Sequence, residues 1–137
     1  MHQFTSRDDV PQPQQLLELA QMFQEQPNVF PEIGKGKVLG LFFFNASLRT
    51  RLSTQKAARL LGMEVMSMNF SGEGWALEFG EGIVMDQGKA EHVKEAAGVL
   101  SAYCDIIGIR SFPKLKDRDT DYAEEVLGSF CKYASVV

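Results

Sequence analysis

The hydrophobic positions of this chain fall either at helical spacing or in short continuous runs. In QQLLELAQMFQEQ, residues 14–26, the leucines and Phe23 recur at helical spacing, so this segment is predicted to be a helix. The apolar run VLGLFFF, residues 38–44, is short enough to be a strand buried on both faces. A second helix is predicted over residues 48–61, with Gly62 as its C-terminal cap.

The rest of the chain repeats this order of strand and helix. Segment 71–88 is rich in glycine and carboxylates, has neither period and is predicted to be a loop. The alternation predicts an α/β fold, an open parallel sheet of about four strands flanked by helices, in which ligands bind beyond the carboxyl ends of the strands. The remaining predicted elements are strands at 63–70 and 105–110, helices at 89–103 and 121–133, and the beginning of a fourth strand at 135–137.

Composition narrows the class of protein. The chain has 137 residues, of which 45% are hydrophobic and 23% charged, which is typical of a single globular domain. A net charge of -4 argues against nucleic acid or an acidic membrane as a partner. No apolar run has the length of a membrane span, and the first 15 residues lack a secretory signal, so a cytoplasmic protein is expected. Cys104 and Cys131 have no metal-site spacing and are expected to be reduced core thiols.

Two arginines follow the first predicted strand at a place where a helix disfavours cations. Arg49 and Arg51 lie in the first helical turn, where the helix dipole makes a positive charge cost a few tenths of a kcal/mol. A phosphate dianion would offset this cost, because it could bind the unpaired first-turn amides, a hydroxyl and the guanidinium groups together. The alternative is that both arginines pair with surface carboxylates such as Glu32 or Glu78.

The stretch FFFNASLRTRLS carries a specific resemblance. A phenylalanine-rich strand followed by S-x-R-T-R resembles the carbamoyl-phosphate signature of the aspartate and ornithine carbamoyltransferase family. WALEFGEGIVMDQGKAEH and YCDIIGIRSFPKLKDRD are similar to the branch that acts on N-acetyl- or N-succinyl-ornithine. The resemblance implies transfer of a carbamoyl group from carbamoyl phosphate to a side-chain amine in arginine biosynthesis. The implied chemistry would be electrostatic stabilisation of charge and would need no metal or cofactor.

The resemblance also implies the site residues. Trp75 matches a loop tryptophan that reaches the neighbouring subunit of a homotrimer; without the resemblance it would be a partly exposed loop aromatic. Ala90 would border the acyl group of the acceptor and favour succinyl, because alanine adds no charge that repels a carboxylate. Alternatively, Ala90 only begins a helix. The implied phosphate ligands are Ser47, the Leu48 amide, Arg49, Thr50, Arg51 and Arg110, with Arg49, Thr50 and Arg110 in the catalytic role.

Two family motifs are missing from this chain. H-P-x-Q and H-C-L-P do not occur, and His92 is expected to be a solvated helical residue. Residues 1–137 would therefore form only the carbamoyl-phosphate-binding domain, without the second domain that binds the amino acid. Alone, this domain is expected to be inactive, because the acceptor amine has nothing to orient it. The alternatives are a non-catalytic anion-binding or assembly module, or an ornithine carbamoyltransferase.

Overall fold

A computed structural model describes residues 3–70, 75–85 and 88–137 of the chain. The predicted loop at 71–88 therefore lies partly outside the described residues. The strands are β1 (Val38–Phe43), β2 (Glu64–Asn69), β3 (Leu77–Glu78), β4 (Glu91–His92) and β5 (Ile106–Arg110). The helices are α1 (Pro13–Glu25), α2 (Leu48–Leu60), α3 (Val93–Tyr103), α4 (Arg118–Tyr122) and α5 (Glu125–Tyr133), with a 3-10 turn at Arg7–Asp9.

The main sheet is parallel and has the strand order β2-β1-β5. This confirms the predicted α/β class with helices around a parallel sheet. The central strand β1 is buried on both faces, as its continuous apolar run predicts: Leu41, Phe42 and Phe43 are at most 5% exposed. β3 and β4 form a separate two-stranded parallel ladder.

Most of the core lies between the sheet and the pair α3 and α5. Phe44 stacks on Phe70 with ring centroids 4.9 Å apart and meets Phe130 edge-on at 6.1 Å. Helix α3 contributes Ala96 and Ala97 to this cluster, and their small side chains allow the helix backbone to lie close to the rings. The buried members of this cluster are Phe42, Phe70, Leu77, Val93, Ala96, Ala97, Cys104 and Phe130.

Helix α2 ends in a Schellman motif, as Gly62 predicts. The amide of Met63 donates to the carbonyl of Ala58 at 3.0 Å, and the amide of Gly62 donates to the carbonyl of Arg59 at 3.1 Å. Gly62 has φ of +82°, and a Cβ there would lie 2.2 Å from the carbonyl oxygen of Pro31. Only glycine therefore suits the turn that carries the chain from α2 into β2.

The starts of β1 and β5 are tied together by one carboxylate. Asp105 accepts hydrogen bonds from Lys37 Nζ and from the Val38 amide, each at 2.8 Å. The Lys37 ammonium, followed by the Val38 amide, holds the pKa of Asp105 below its ordinary value. This contact helps to set the alignment of the two strands, on which the far edge of the sheet depends.

Several predicted boundaries are wrong. Helix α3 begins at Val93 instead of residue 89, because residues 91–92 pair with β3. The helix predicted over 121–133 is divided at Glu124, which has φ of +44°. Within the described residues the main sheet has three strands instead of about four. In place of the predicted fourth strand there is one hydrogen bond, from the Ile107 amide to the Val137 carbonyl at 2.6 Å.

The two cysteines and α1 complete the fold. Cys104 is a free, buried thiol, as predicted, and Cys131 is free but only half-buried. Burial raises the pKa of both thiols. Helix α1 forms as predicted but buries none of its residues in this structure. Among the described helices, none combines the length and the apolar character needed to cross a bilayer.

Candidate anion-binding site

The carboxyl ends of all three main strands meet at one edge of the sheet. Phe43 is aligned with Asn69 on one side and with Arg110 on the other. The Phe44 amide donates to the Arg110 carbonyl at 2.9 Å, which continues the ladder by one residue. Segment 45–51 therefore leaves the sheet between β2 and β5. This confirms that the segment after β1 and the end of β5 share one edge.

The start of α2 presents unpaired donors. Ser47 is the N-cap residue with extended backbone, and its side chain makes no capping hydrogen bond to the described residues. The amides of the first turn have no intrahelical acceptors. Leu48, Arg49 and Thr50 are exposed, so an anion can approach their amides from solvent. Such an anion would complete the cap that the Ser47 side chain does not make.

Arg51 is held at the sheet edge. Its Nη2 donates to Asn69 Oδ1, and its guanidinium carbon lies 4.7 Å above the centre of the Phe43 ring. The side chain is half-buried between the first turn of α2 and the ends of β1 and β2. Asn69 carries no sequence motif that marks it as a site residue. Its place at the carboxyl end of the strand that follows the S-x-R-T-R helix is the sequence feature that points to this edge of the sheet.

Arg110 links the β5 exit to the segment before α2. Its Nη1 donates to the Ala46 carbonyl at 3.3 Å, and its guanidinium carbon lies 4.4 Å above the Phe112 ring. Asn45 Oδ1 accepts from the Phe112 amide at 2.7 Å, which is a second link between the same two segments. Arg110 therefore lies at the same edge of the sheet as the start of α2, which carries Arg49, Thr50 and Arg51.

The alternative pairing of the arginines with Glu32 or Glu78 is wrong. Glu32 pairs with Lys35 at 2.7 Å. Glu78 accepts from the Gly80 and Phe79 amides, both at 2.9 Å, and these donors hold its pKa below the ordinary value. Among residues 3–70, 75–85 and 88–137, no carboxylate lies within 4.0 Å of the Arg49 or Arg51 guanidinium. Within that part of the chain, both cations are available to a ligand.

Trp75 and Ala90 lie side by side near the β3–β4 ladder. The Ala90 amide donates to the Ala76 carbonyl at 2.9 Å, and Trp75 Nε1 donates to Glu91 Oε2 at 3.3 Å. Trp75 is 42% exposed and Ala90 is also exposed. The alternative that Ala90 begins a helix is wrong, since α3 starts three residues later. Both residues are available to a ligand or to another chain.

His92 is not the solvated helical histidine that was predicted. It caps α3: Nδ1 accepts from the Lys94 amide at 3.1 Å, and Nε2 lies 3.0 Å from the Gly80 carbonyl oxygen. The His92 amide in turn donates to Glu95 Oε2 at 3.3 Å, which completes a capping box. The ring is half-buried against the turn at residues 78–82. His92 therefore ties the turn after β3 to the start of α3, and among the described residues its ring makes no hydrogen bond to Arg49, Arg51 or Arg110.

A broad open cleft of about 1250 Å³ adjoins this edge. Phe44, Asn45, Lys89 and Phe112 line it, but residues 47–51 and Arg110 do not. The anion site is therefore an exposed edge beside the cleft. In the described part of the chain, no group of three His, Cys, Asp or Glu side chains could hold a metal ion.

Comparison with known proteins supports the family resemblance of the S-x-R-T-R segment. Residues 3–134 match the profile of the aspartate/ornithine carbamoyltransferase, carbamoyl-P binding domain. N-succinylornithine carbamoyltransferase of Bacteroides thetaiotaomicron is 50% identical over 118 residues, which cover 85% of this chain and 37% of that protein. N-acetylornithine carbamoyltransferase of Xanthomonas campestris is 44% identical over 102 residues, which cover 74% of this chain and 30% of that protein.

A solved structure has the same fold. It is a glutamate-to-alanine variant of N-acetyl-L-ornithine transcarbamylase complexed with carbamyl phosphate and N-succinyl-L-norvaline, with a TM-score of 0.90 and 38% identity. The match covers 99% of this chain and 41% of that one. The chain thus spans only 30–41% of the length of these relatives. With the match to residues 3–134, these likenesses show that the chain belongs to the aspartate/ornithine carbamoyltransferase family, in its carbamoyl-phosphate-binding domain.

Proposed function

We propose that this chain is the carbamoyl-phosphate-binding domain of an N-acylornithine carbamoyltransferase. The whole enzyme would transfer a carbamoyl group to the side-chain amine of N-succinyl- or N-acetyl-ornithine in arginine biosynthesis in the cytoplasm. Family membership and the 50% identity to an N-succinylornithine carbamoyltransferase support this assignment. The observation that carries it is the convergence of Arg51, Arg110 and the uncapped start of α2 at one strand edge.

The phosphate would lie at the start of α2. Ser47, Thr50 and the Leu48 amide supply neutral donors, and Arg49 supplies charge from the exposed surface. Arg51 would approach from the sheet side, where Asn69 already holds it. Together these groups can contact several phosphate oxygens at once, which favours phosphate over a carboxylate.

The reaction needs charge stabilisation instead of a covalent enzyme intermediate. The acceptor amine would attack the carbamoyl carbon, a C–N bond would form, and the bond to the phosphate oxygen would break. Phosphate leaves with the electron pair of the broken C–O bond and takes up the proton that the attacking amine loses. Arg110 would stabilise charge on the carbonyl side, while the α2 start and Arg49 stabilise the leaving phosphate.

The acceptor requires parts beyond this site. We place its binding groups in a second domain outside residues 1–137 and in Trp75 of a neighbouring subunit of a homotrimer. Trp75 suits this role because it is exposed and because its Nε1 is oriented by Glu91 at 3.3 Å. A native stop codon after Val137 would instead favour a non-catalytic anion-binding module.

Titration with inorganic phosphate tests the site on the 137-residue chain. We expect saturable shifts of the Leu48, Arg49 and Thr50 amide signals in NMR spectra, because these amides are local to this domain. Chloride at the same ionic strength is the control. Shifts spread evenly over the surface, or none at the α2 start, would contradict the proposal.

Ala90 is proposed to select the acyl group. Its hydrogen bond to Ala76 places it beside Trp75, so one ligand could contact both. A variant of N-acetyl-L-ornithine transcarbamylase in which a glutamate is replaced by alanine was solved with N-succinyl-L-norvaline, so alanine at that position of that protein is compatible with a succinyl ligand. Lys89 donates to the Leu77 carbonyl at 3.3 Å and lines the adjacent cleft, where it adds positive potential.

Ala90→Glu is expected to lower kcat/KM of the full-length enzyme for N-succinyl-ornithine by about 10- to 100-fold, since two carboxylates would repel each other at close range. The value for N-acetyl-ornithine should change little. Ala90→Gln is the control of equal size without charge. Steady-state assays with both substrates and free ornithine check this. Equal losses for both acyl substrates, or a native preference for free ornithine, would contradict the assignment.

A further inference from the structure

The Arg51–Asn69 hydrogen bond connects a long, flexible arginine side chain to a residue whose backbone is fixed in the sheet. Asn69 is the last residue of β2 and is aligned with Phe43, and the next amide, Phe70, donates to the Phe43 carbonyl at 2.9 Å. Its backbone is therefore fixed by the ladder on both sides of the residue. Asn69 Oδ1 accepts from one terminal nitrogen of Arg51, whose guanidinium lies over the Phe43 ring.

Arg51 needs such support because of its place in the fold. A cation in the first turn is repelled by the N-terminal end of the helix dipole, so an unheld guanidinium would move into solvent. Arginine also has large rotamer freedom, which a ligand would have to remove on binding. The guanidinium has five N–H donors. Asn69 is its one hydrogen-bond acceptor among the described residues, which leaves donors for an anion.

We propose that Asn69 is a positioning residue that presents Arg51 to the phosphate group. This inference rests on the proposed function. Asn69 acts through Arg51: it orders the guanidinium before the ligand arrives, so phosphate binding carries a smaller entropic cost. Asn69 itself does not contact the ligand.

A double-mutant cycle tests this inference by phosphate titration of the 137-residue chain. The variants are Asn69→Ala, Arg51→Met and their combination, with Ser67→Ala as a control on the same strand, where Ser67 is exposed. Asn69→Leu, which keeps the branched shape and the number of side-chain heavy atoms of asparagine, is the second variant if Asn69→Ala does not fold. NMR shifts of the α2 amides give the dissociation constants.

We expect Asn69→Ala to weaken phosphate binding by about 3- to 10-fold in the wild-type background, the range that follows from ordering one side chain. In the Arg51→Met background the same change should have less than about a 2-fold effect, because coupled residues are not additive. Ser67→Ala should bind as wild type does. This pattern would separate positioning from a general structural effect, which would act in both backgrounds.

Three results would overturn the inference. Equal weakening by Asn69→Ala in both backgrounds would show that Asn69 does not act through Arg51. Unchanged affinity in Asn69→Ala or in Arg51→Met would remove Asn69 or Arg51, respectively, from phosphate binding, while the proposed function would stand on the remaining groups. Absence of phosphate binding by the wild-type chain would overturn the proposed function as well, so the two failures are distinguishable.

Discussion

Arg49→Met is expected to lower kcat/KM for carbamoyl phosphate by about 10²- to 10³-fold in the full-length enzyme, which is the usual loss for one donor to developing charge. Arg49 is exposed in the first turn of α2, beside the uncapped Ser47. Methionine keeps the helix and the length of the apolar stem. The loss should therefore arise from the missing charge, and steady-state kinetics with varied carbamoyl phosphate measure it.

Arg59→Met is the matched control. Arg59 lies in the last turn of the same helix and is exposed, so the variant changes net charge by the same amount at the opposite end. Its kcat/KM should stay within about 2-fold of wild type, because exposed charges more than a Debye length of about 8–10 Å apart are largely screened. Equal losses in the two variants would indicate a general effect of charge and would contradict a phosphate contact by Arg49.

Phe42→Ala is expected to lower the free energy of unfolding by about 3–5 kcal/mol, as loss of a fully buried aromatic side chain does. Phe42 is 2% exposed and belongs to the cluster between β1 and helices α3 and α5. Typical domains have only about 5–15 kcal/mol of stability in total. We therefore expect a large shift of the urea midpoint, followed by circular dichroism.

Phe4→Ala provides the comparison for this core substitution. Phe4 is 68% exposed, so its removal should change stability by less than about 0.5 kcal/mol. Phe42 faces the helices away from Arg51, so folded Phe42→Ala should still bind phosphate with wild-type affinity. If Phe42→Ala were as stable as Phe4→Ala, the proposed core would be wrong. If it folded but lost phosphate binding, the site would depend on that core.

Elements with a strong local signal were predicted well from the sequence. The run 38–44 is one residue longer than β1, and the predicted 48–61 helix is one residue longer than α2. Both succeed because short-range physics decides them: a continuous apolar run favours a buried strand, and Gly62 adopts the positive φ that ends α2. The position of Arg110 at the same edge as Arg49 also followed, since parallel strands bring their carboxyl ends together.

Elements decided by distant pairing were not predicted. The sequence pattern predicts a helix over residues 91–92, because Val93, Ala96 and Ala97 lie at helical spacing just after them. Their pairing with residues 77–78 overrides that preference, and His92 caps the helix instead of lying within it. A two-residue ladder leaves no periodic signal, because two positions cannot distinguish a period of 2 from one of 3.6.

The sequence by itself determined the class of fold, the central buried strand and the arginine-bearing helix start, because each depends on neighbours a few residues away. Only the tertiary structure decided that Asn69 accepts from Arg51 and that Asn45 and Arg110 join segment 45–51 to the exit of β5. These contacts connect residues separated by 18 to 67 positions. Such contacts depend on the order and alignment of strands in the sheet, which hydrophobic periodicity does not encode.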